Sequence, residues 1–81
     1  MLIDDLNPVL EKTSRKFSLV EKYSKAKNLF EQNPRHSSLH TELLEPKQLK
    51  VYSFRIDQKY RAQFAVVCGR AKILDISLHY Q

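Results

Sequence analysis

Residues 51–67, VYSFRIDQKYRAQFAVV, carry the pattern that decides the fold. Apolar side chains occupy every second position in both parts of this segment, at Tyr52, Phe54 and Ile56 and again at Tyr60, Ala62, Phe64 and Val66. A period of two is typical of β-strands, whose side chains point alternately to the two faces of a sheet. The segment therefore predicts two antiparallel strands joined by a short turn around Gln58.

The sequence beyond this segment predicts a third strand and indicates which side chains share a face. Alternation returns after Cys68-Gly69, at Leu74, Ile76 and Leu78. If these apolar residues face the core, a set of chemically active side chains lies on the opposite, open face: Arg55, Arg61 and His79. The three side chains share this face only if each hairpin loop has an odd number of residues. Such loops would make Arg61 and Ser77 direct neighbours.

Two helices are predicted ahead of the strands. The first begins with Asn7 as N-cap and Pro8 in the first turn, and its apolar face is Val9, Leu10, Thr13 and Phe17. The second begins at the capping-box pair Ser18 and Glu21, ends at Asn33-Pro34, and has the apolar face Leu19, Tyr23, Ala26 and Phe30. We therefore expect one α+β domain, residues 1–81, with two antiparallel helices on one face of an antiparallel sheet of three or four strands.

Charge is distributed unevenly along the chain. Residues 1–45 contain seven basic and seven acidic residues, whereas residues 46–81 contain seven basic and two acidic ones. The whole net charge of +5 therefore lies in the strand-rich half. Such a surface attracts polyanions, although many soluble proteins carry a basic surface without binding nucleic acid.

Other features of the sequence indicate where the chain works. No apolar run reaches the length of a membrane span, and the first ten residues carry two acids where a signal peptide has bases. The single Cys68 cannot form an internal disulfide, and His36 and His40 lack a third metal ligand. We expect a cytoplasmic protein with no membrane, metal or cofactor requirement.

The sequence resembles the RelE-ParE toxins over about residues 18–81. The resemblance rests on four pieces in order, Asn33-Pro34-Arg35-His36-Ser37-Ser38-Leu39-His40, Val51-Tyr52-Ser53-Phe54-Arg55-Ile56-Asp57, Lys59-Tyr60-Arg61-Ala62 and Leu78-His79-Tyr80. The closing His-Tyr is most similar to the YoeB-like mRNA interferases. The resemblance implies a small sheet with two helices on one face, a cognate antitoxin as partner, and cleavage of mRNA, usually on the ribosome. These toxins usually begin with a full strand, so Met1-Leu2-Ile3 is expected to be a stub or a truncated start.

The resemblance also implies a metal-independent ribonuclease site. Arg55 and Arg61 match arginines of the family's active face, where a guanidinium can hold two phosphate oxygens. A surface arginine paired with Asp57 or Asp75 is the alternative for each. His79 matches the histidine of the YoeB-like members and is the best general acid. Tyr80 can stack on a base or hold the phosphate, or it can pack toward the core.

The general base is left open by the sequence. Glu42 lies at about the family's distance before Arg55, Glu45 is nearby, and many relatives have a lysine instead. Lys47, Lys50 and Lys59 are candidate RNA contacts, with solvated loop lysines as the alternative. Two other functions remain open: a ParE-like toxin that inhibits DNA gyrase, and a decayed relative that binds RNA without cutting it.

Overall fold

The structure, a computed structural model, describes residues 1–78 and shows two helices followed by an antiparallel sheet. Helix α1 spans Pro8–Lys16 and helix α2 spans Val20–Gln32. Within the described residues the sheet has four strands in the order β1-β2-β3-β4, namely β1 Glu42–Leu43, β2 Tyr52–Arg55, β3 Tyr60–Val67 and β4 Arg70–Leu78. The α+β class is confirmed, and the fourth strand is the short β1.

Helix α1 begins and ends on local hydrogen bonds. The side chain of Asn7 accepts a hydrogen bond from the Leu10 amide at 2.9 Å, so the predicted N-cap is confirmed. The predicted capping box at Ser18 is wrong. Ser18 has a φ of 56°, and its amide donates to the carbonyl of Arg15. An N-cap requires extended backbone, whereas a left-handed residue closes the C-terminal end of a helix, so Ser18 belongs to the end of α1.

Helix α2 packs its predicted face onto the sheet. All four apolar positions expected on it are buried: Leu19, Tyr23, Ala26 and Phe30. The ring of Phe30 contacts Phe54 and Phe64 at centroid distances of 5.1 and 5.0 Å. Helix α1 contributes less to this core, because only Leu10 and Ser14 are buried in it. Val9 and Phe17, both expected to face inward, are exposed.

The loop of the β3–β4 hairpin has an even number of residues, whereas the sequence predicted an odd number. A two-residue turn, Cys68-Gly69, pairs Val67 with Arg70, and both turn residues have positive φ, 52° and 76°. This is the backbone that tight hairpin turns require. The register then shifts by one between Gln63 and Phe64, where β4 carries an extra residue.

Because of that bulge, the end of the hairpin away from the turn has the pairing that the sequence predicts. Gln63 pairs with Asp75 and Phe64 with Ile73, so Leu74 has no partner and is exposed. The expectation that Leu74 faces the core is therefore wrong, and Ile73 is buried instead. Beyond the bulge Arg61 pairs with Ser77, as predicted.

The N-terminal segment lies against the free side of β4. Ile3 forms a parallel bridge with Ala71, and the amide of Ala71 donates to the carbonyl of Leu2. The amide of Ile3 donates to the carboxylate of Glu31 on α2. Ile3 is buried and belongs to the same hydrophobic core as the helices and strands.

Candidate functional site

The candidate site lies on the face of the sheet that points away from α2. Register places Glu42, Ser53, Gln63 and Asp75 in one row across the four strands. The next row begins with Arg55 and Arg61, which are direct partners across β2 and β3. Arg61 also pairs with Ser77 of β4. The two arginines that the sequence predicts on one face are therefore brought together.

The assignment of Arg61 to the open face implies a solvent-exposed side chain, but the side chain is buried. Its side chain is only 8% exposed. The guanidinium Nε donates to the hydroxyl of Ser53 at 3.0 Å, and Nη2 donates to the carbonyls of His40 at 2.6 Å and Ser53 at 3.3 Å. The side chain therefore runs across β2 and holds the segment that leads into β1.

These contacts decide which hydrogen-bond donors of Arg61 can reach a substrate. A guanidinium has five N–H groups, and the three on Nε and Nη2 point to protein oxygens. The two on Nη1 have no acceptor among residues 1–78. By contrast, the half-buried side chain of Arg55 donates no hydrogen bond to any of these residues. Arg55 is therefore the side chain whose whole guanidinium fork can meet a phosphate.

Glu42 is the acidic group of the site. Its Oε1 lies 3.8 Å from Nη2 of Arg61, and its side chain is 54% exposed. The predicted alternatives for Arg61, ion pairs with Asp57 or Asp75, are not formed. Burial lowers the pKa of Arg61 below its ordinary value, Glu42 opposes this shift, and Arg55 adds to it.

A groove of about 260 Å³ connects these groups. It is lined by Glu42, Leu44, Ser53, Arg61, Gln63, Ser77 and Leu78. The groove thus joins a carboxylate, a buried cation and neutral hydrogen-bonding side chains in one place. Leu78 is the last described residue, and the predicted acid His79 and its neighbour Tyr80 lie outside the described residues.

The other predicted residues are placed around this groove or apart from it. Glu45 is exposed beyond the end of β1. Lys47 begins a short 3₁₀ turn, Lys47–Leu49, and Lys50 follows it with a φ of 55°; both lysines are exposed. Lys59 is exposed in the β2–β3 turn.

Sequence reasoning missed Ser53 as a member of the site. Its side chain is on the outward face, yet it is 2% exposed because the Arg61 guanidinium covers it. The alternation of residues 51–67 indicated its face, but nothing in the sequence indicated its contact with Arg61.

Comparison with solved structures shows which fold this is. A YoeB/ParE toxin from Agrobacterium tumefaciens matches with a TM-score of 0.73 and 17% identity, covering 99% of this chain and 100% of that one. A YoeB-YefM complex from Staphylococcus aureus matches with a TM-score of 0.72 and 21% identity, covering 99% of each chain.

The chain has the fold of the YoeB/ParE toxins. The similarity extends over the whole chain in both cases, so it includes the strands that carry Arg55 and Arg61. No protein-family model and no curated protein sequence matches. No helix within residues 1–78 is long and apolar enough to cross a membrane.

Proposed function

We propose that this protein is the toxin of a type II toxin–antitoxin pair, a single cytoplasmic domain that cleaves mRNA in association with the ribosome. One observation carries the proposal: Arg55 and Arg61 are direct partners on the outward face, with the Glu42 carboxylate 3.8 Å from Arg61. The fold that presents them is that of structures named as YoeB toxins.

The proposed reaction is an internal transesterification of RNA. A base removes the proton of a 2′-hydroxyl, the oxygen attacks the adjacent phosphorus, and the leaving 5′-oxygen receives a proton from an acid. Such a step needs a base, an acid and cations on the phosphate, and a metal ion is not required. The groove supplies one carboxylate and the guanidinium of Arg61, and Arg55 lies beside Arg61 on the same face.

Each side chain has a proposed part in the reaction. Glu42 is exposed enough to reach a 2′-hydroxyl and serves as the base, with Glu45 or a lysine as the alternative. Arg55 binds two phosphate oxygens, and Arg61 directs its Nη1 donors at the same phosphate. His79 is the general acid, because imidazole changes charge near neutral pH and the residue follows Leu78 of the groove in sequence. Tyr80 stacks on a base or holds the phosphate.

The remaining basic side chains are proposed to hold the RNA around the groove. Lys47, Lys50 and Lys59 are exposed and can neutralise phosphates without contributing to the chemical step. Their removal should weaken binding and reduce its salt dependence while the single-turnover rate at saturation stays close to normal.

Single-turnover cleavage of mRNA on programmed ribosomes tests this function. His79→Ala should leave RNA affinity nearly intact and slow cleavage by about 10² to 10⁴-fold, the usual contribution of a positioned acid. Glu42→Gln should slow the step by a similar order, since the amide cannot accept the proton.

The control for these variants is circular dichroism of each folded protein. A folded His79→Ala protein that cuts at the wild-type rate would remove the histidine from the mechanism. If wild-type protein left mRNA intact while DNA synthesis or supercoiling failed first in growing cells, gyrase inhibition would replace cleavage. If it bound RNA and did neither, it would be a decayed relative.

The proposed protein partner is a cognate antitoxin, as the Staphylococcus aureus structure contains YefM with its YoeB. We propose that an acidic antitoxin segment lies over the outward sheet face and meets Arg55 and Arg61. Charge attraction of this kind raises association rates and weakens with ionic strength. Association should therefore slow markedly with added salt, and a salt-independent rate would place the antitoxin elsewhere.

A further inference from the structure

A second group of side chains at the end of the sheet has no part in the proposed cleavage. The ring of Phe17, just after α1, contacts the ring of Tyr60 at a centroid distance of 5.5 Å and an interplanar angle of 32°. Phe17 is 45% exposed although its ring is large and apolar. We call this pair the Phe17–Tyr60 platform. It borders a groove of about 420 Å³, a volume within the range of roughly 300 to 1,000 Å³ typical of small-ligand sites.

Cations surround the platform. The ammonium of Lys16 lies 5.5 Å from the centroid of the Phe17 ring, and Lys22 and Lys59 line the groove. Asp57 is the acidic residue of the lining, and its carboxylate already accepts hydrogen bonds from Lys22 and from the amides of Lys59 and Tyr60. Lys22 and Lys59 against Asp57 give the groove lining a net charge of +1, and Lys16 beside Phe17 brings the platform and groove together to +2.

This combination fits one ligand chemistry. Single-stranded RNA is bound where aromatic side chains stack on unpaired bases and nearby cations meet the backbone phosphates. The exposed Phe17 ring supplies a flat surface, and the lysines supply charge. Gln58, also in the lining, has both a donor and an acceptor for a base edge.

The platform also lies next to the cleavage groove. Tyr60 precedes Arg61 in β3, and it pairs with Leu78, which lines that groove. Tyr60 and Arg61 point to opposite faces of the sheet, and the β2–β3 turn at residues 56–59 lies between the two faces, next to both residues. Lys59 is exposed in that turn.

We propose that the Phe17–Tyr60 platform is a stacking site for an unpaired base of the RNA, just outside the cleavage groove. The proposal rests on the proposed function for the identity of the ligand. It assigns a binding part to Phe17, which the sequence did not single out as a site residue.

A fluorescent oligonucleotide tests the platform independently of cleavage. The probe is a short single-stranded oligonucleotide without 2′-hydroxyls, which cannot be cut, with 2-aminopurine placed at each position in turn. Wild-type protein should quench the fluorescence at one or two positions. Phe17→Leu should lose that quenching and bind about tenfold more weakly, since stacking contributes roughly 1–3 kcal/mol per base. Phe17→Trp should keep both.

Matched variants distinguish an effect on the platform from a general loss of apolar surface or of positive charge. Val9→Ala removes an exposed apolar side chain from α1, the helix that ends just before Phe17, and should change neither quenching nor affinity. Lys16→Glu should weaken binding about tenfold, because its ammonium lies 5.5 Å from the Phe17 ring, whereas Lys12→Glu, with the same change of charge elsewhere on α1, should weaken it far less. Both lysine variants are exposed, so they keep the test valid if Phe17→Leu unfolds.

The outcomes distinguish this proposal from the proposed function. Unchanged quenching and affinity in folded Phe17→Leu would overturn the platform even if the wild-type protein cleaves mRNA. Intact mRNA with normal quenching would overturn cleavage and leave the platform in place. A Phe17→Leu protein that binds the oligonucleotide normally but no longer binds its antitoxin would show that the surface contacts protein instead.

Discussion

Arg61 should contribute to the stability of the fold as well as to the reaction. Replacing it with alanine removes the donors to the Ser53 hydroxyl and to the His40 carbonyl, both in a site where the side chain is 8% exposed. A hydrogen bond from a charged group contributes about 1.5–3 kcal/mol. Loss of the buried stem adds about 0.8 kcal/mol per methylene, and relief from burying a charge offsets part of the total.

The net expectation for Arg61→Ala is a loss of about 2–3 kcal/mol in the free energy of unfolding. In a domain of this size that corresponds to a fall of roughly 8–24 °C in Tm. Urea denaturation followed by circular dichroism measures it. Arg61→Lys should recover only part of the loss, because an ammonium cannot donate to Ser53 and His40 with the same fork.

Arg55→Ala is the matched control, since Arg55 is the direct partner of Arg61 and has no hydrogen-bond acceptor among residues 1–78. It should change the unfolding free energy by less than about 0.5–1 kcal/mol. Equal stabilities for the two alanine variants would refute the structural part assigned to Arg61. The activity of an Arg61 variant should accordingly be interpreted only beside its stability.

Three further predictions concern other residues. Burial opposes the ionisation of Asp57, but hydrogen bonds from Tyr60, Lys59 and Lys22 outweigh it and hold its pKa below the ordinary value. Asp57 therefore stabilises the fold near neutral pH and loses this effect as pH falls through its folded pKa, so acid titrations of Asp57→Asn should show a shallower loss of stability. Burial, with Glu31 and Asp5 nearby, raises the pKa of Tyr23 to about 12, and its hydroxyl has no partner within residues 1–78. Tyr23→Phe should be neutral or stabilising at pH 7 and should reduce the loss of stability as pH rises between about 10 and 12, measured by urea denaturation. Cys68→Asn should raise Tm slightly in thermal melts, because asparagine tolerates the positive φ of this turn position better than cysteine.

The sequence predicted the elements that depend on periodicity. The burial of Leu19, just before α2, and of Tyr23, Ala26 and Phe30 within it follows from helical spacing, and the face of Phe54 and Phe64 follows from alternation. The outward face of Leu74 does not follow from alternation, because a one-residue bulge changes which residues share a face without leaving a signal in the hydropathy pattern. Likewise Ser18 has the residue type of an N-cap, but the three-residue link to α2 makes it the end of α1.

For the candidate site, the sequence predicted which side chains share the outward face of the sheet but not which groups they contact. Register alone brings Arg55, Arg61 and Ser77 together, and the sequence indicated this. The burial of Arg61 depends on where the segment before β1 runs, since His40 supplies an acceptor from 21 residues away in sequence. Long-range contacts of that kind, like the contact of Phe17 with Tyr60, have no periodic signature.

The unpaired Leu74 is a place where related chains can differ in length without losing the site. Shortening β4 by this one residue would leave Arg61 opposite Ser77 and Val67 opposite Arg70, because every other residue of the strand keeps its present partner and face. In an alignment of homologous sequences, a one-residue gap at position 74 should therefore occur independently of the length of the Cys68-Gly69 turn.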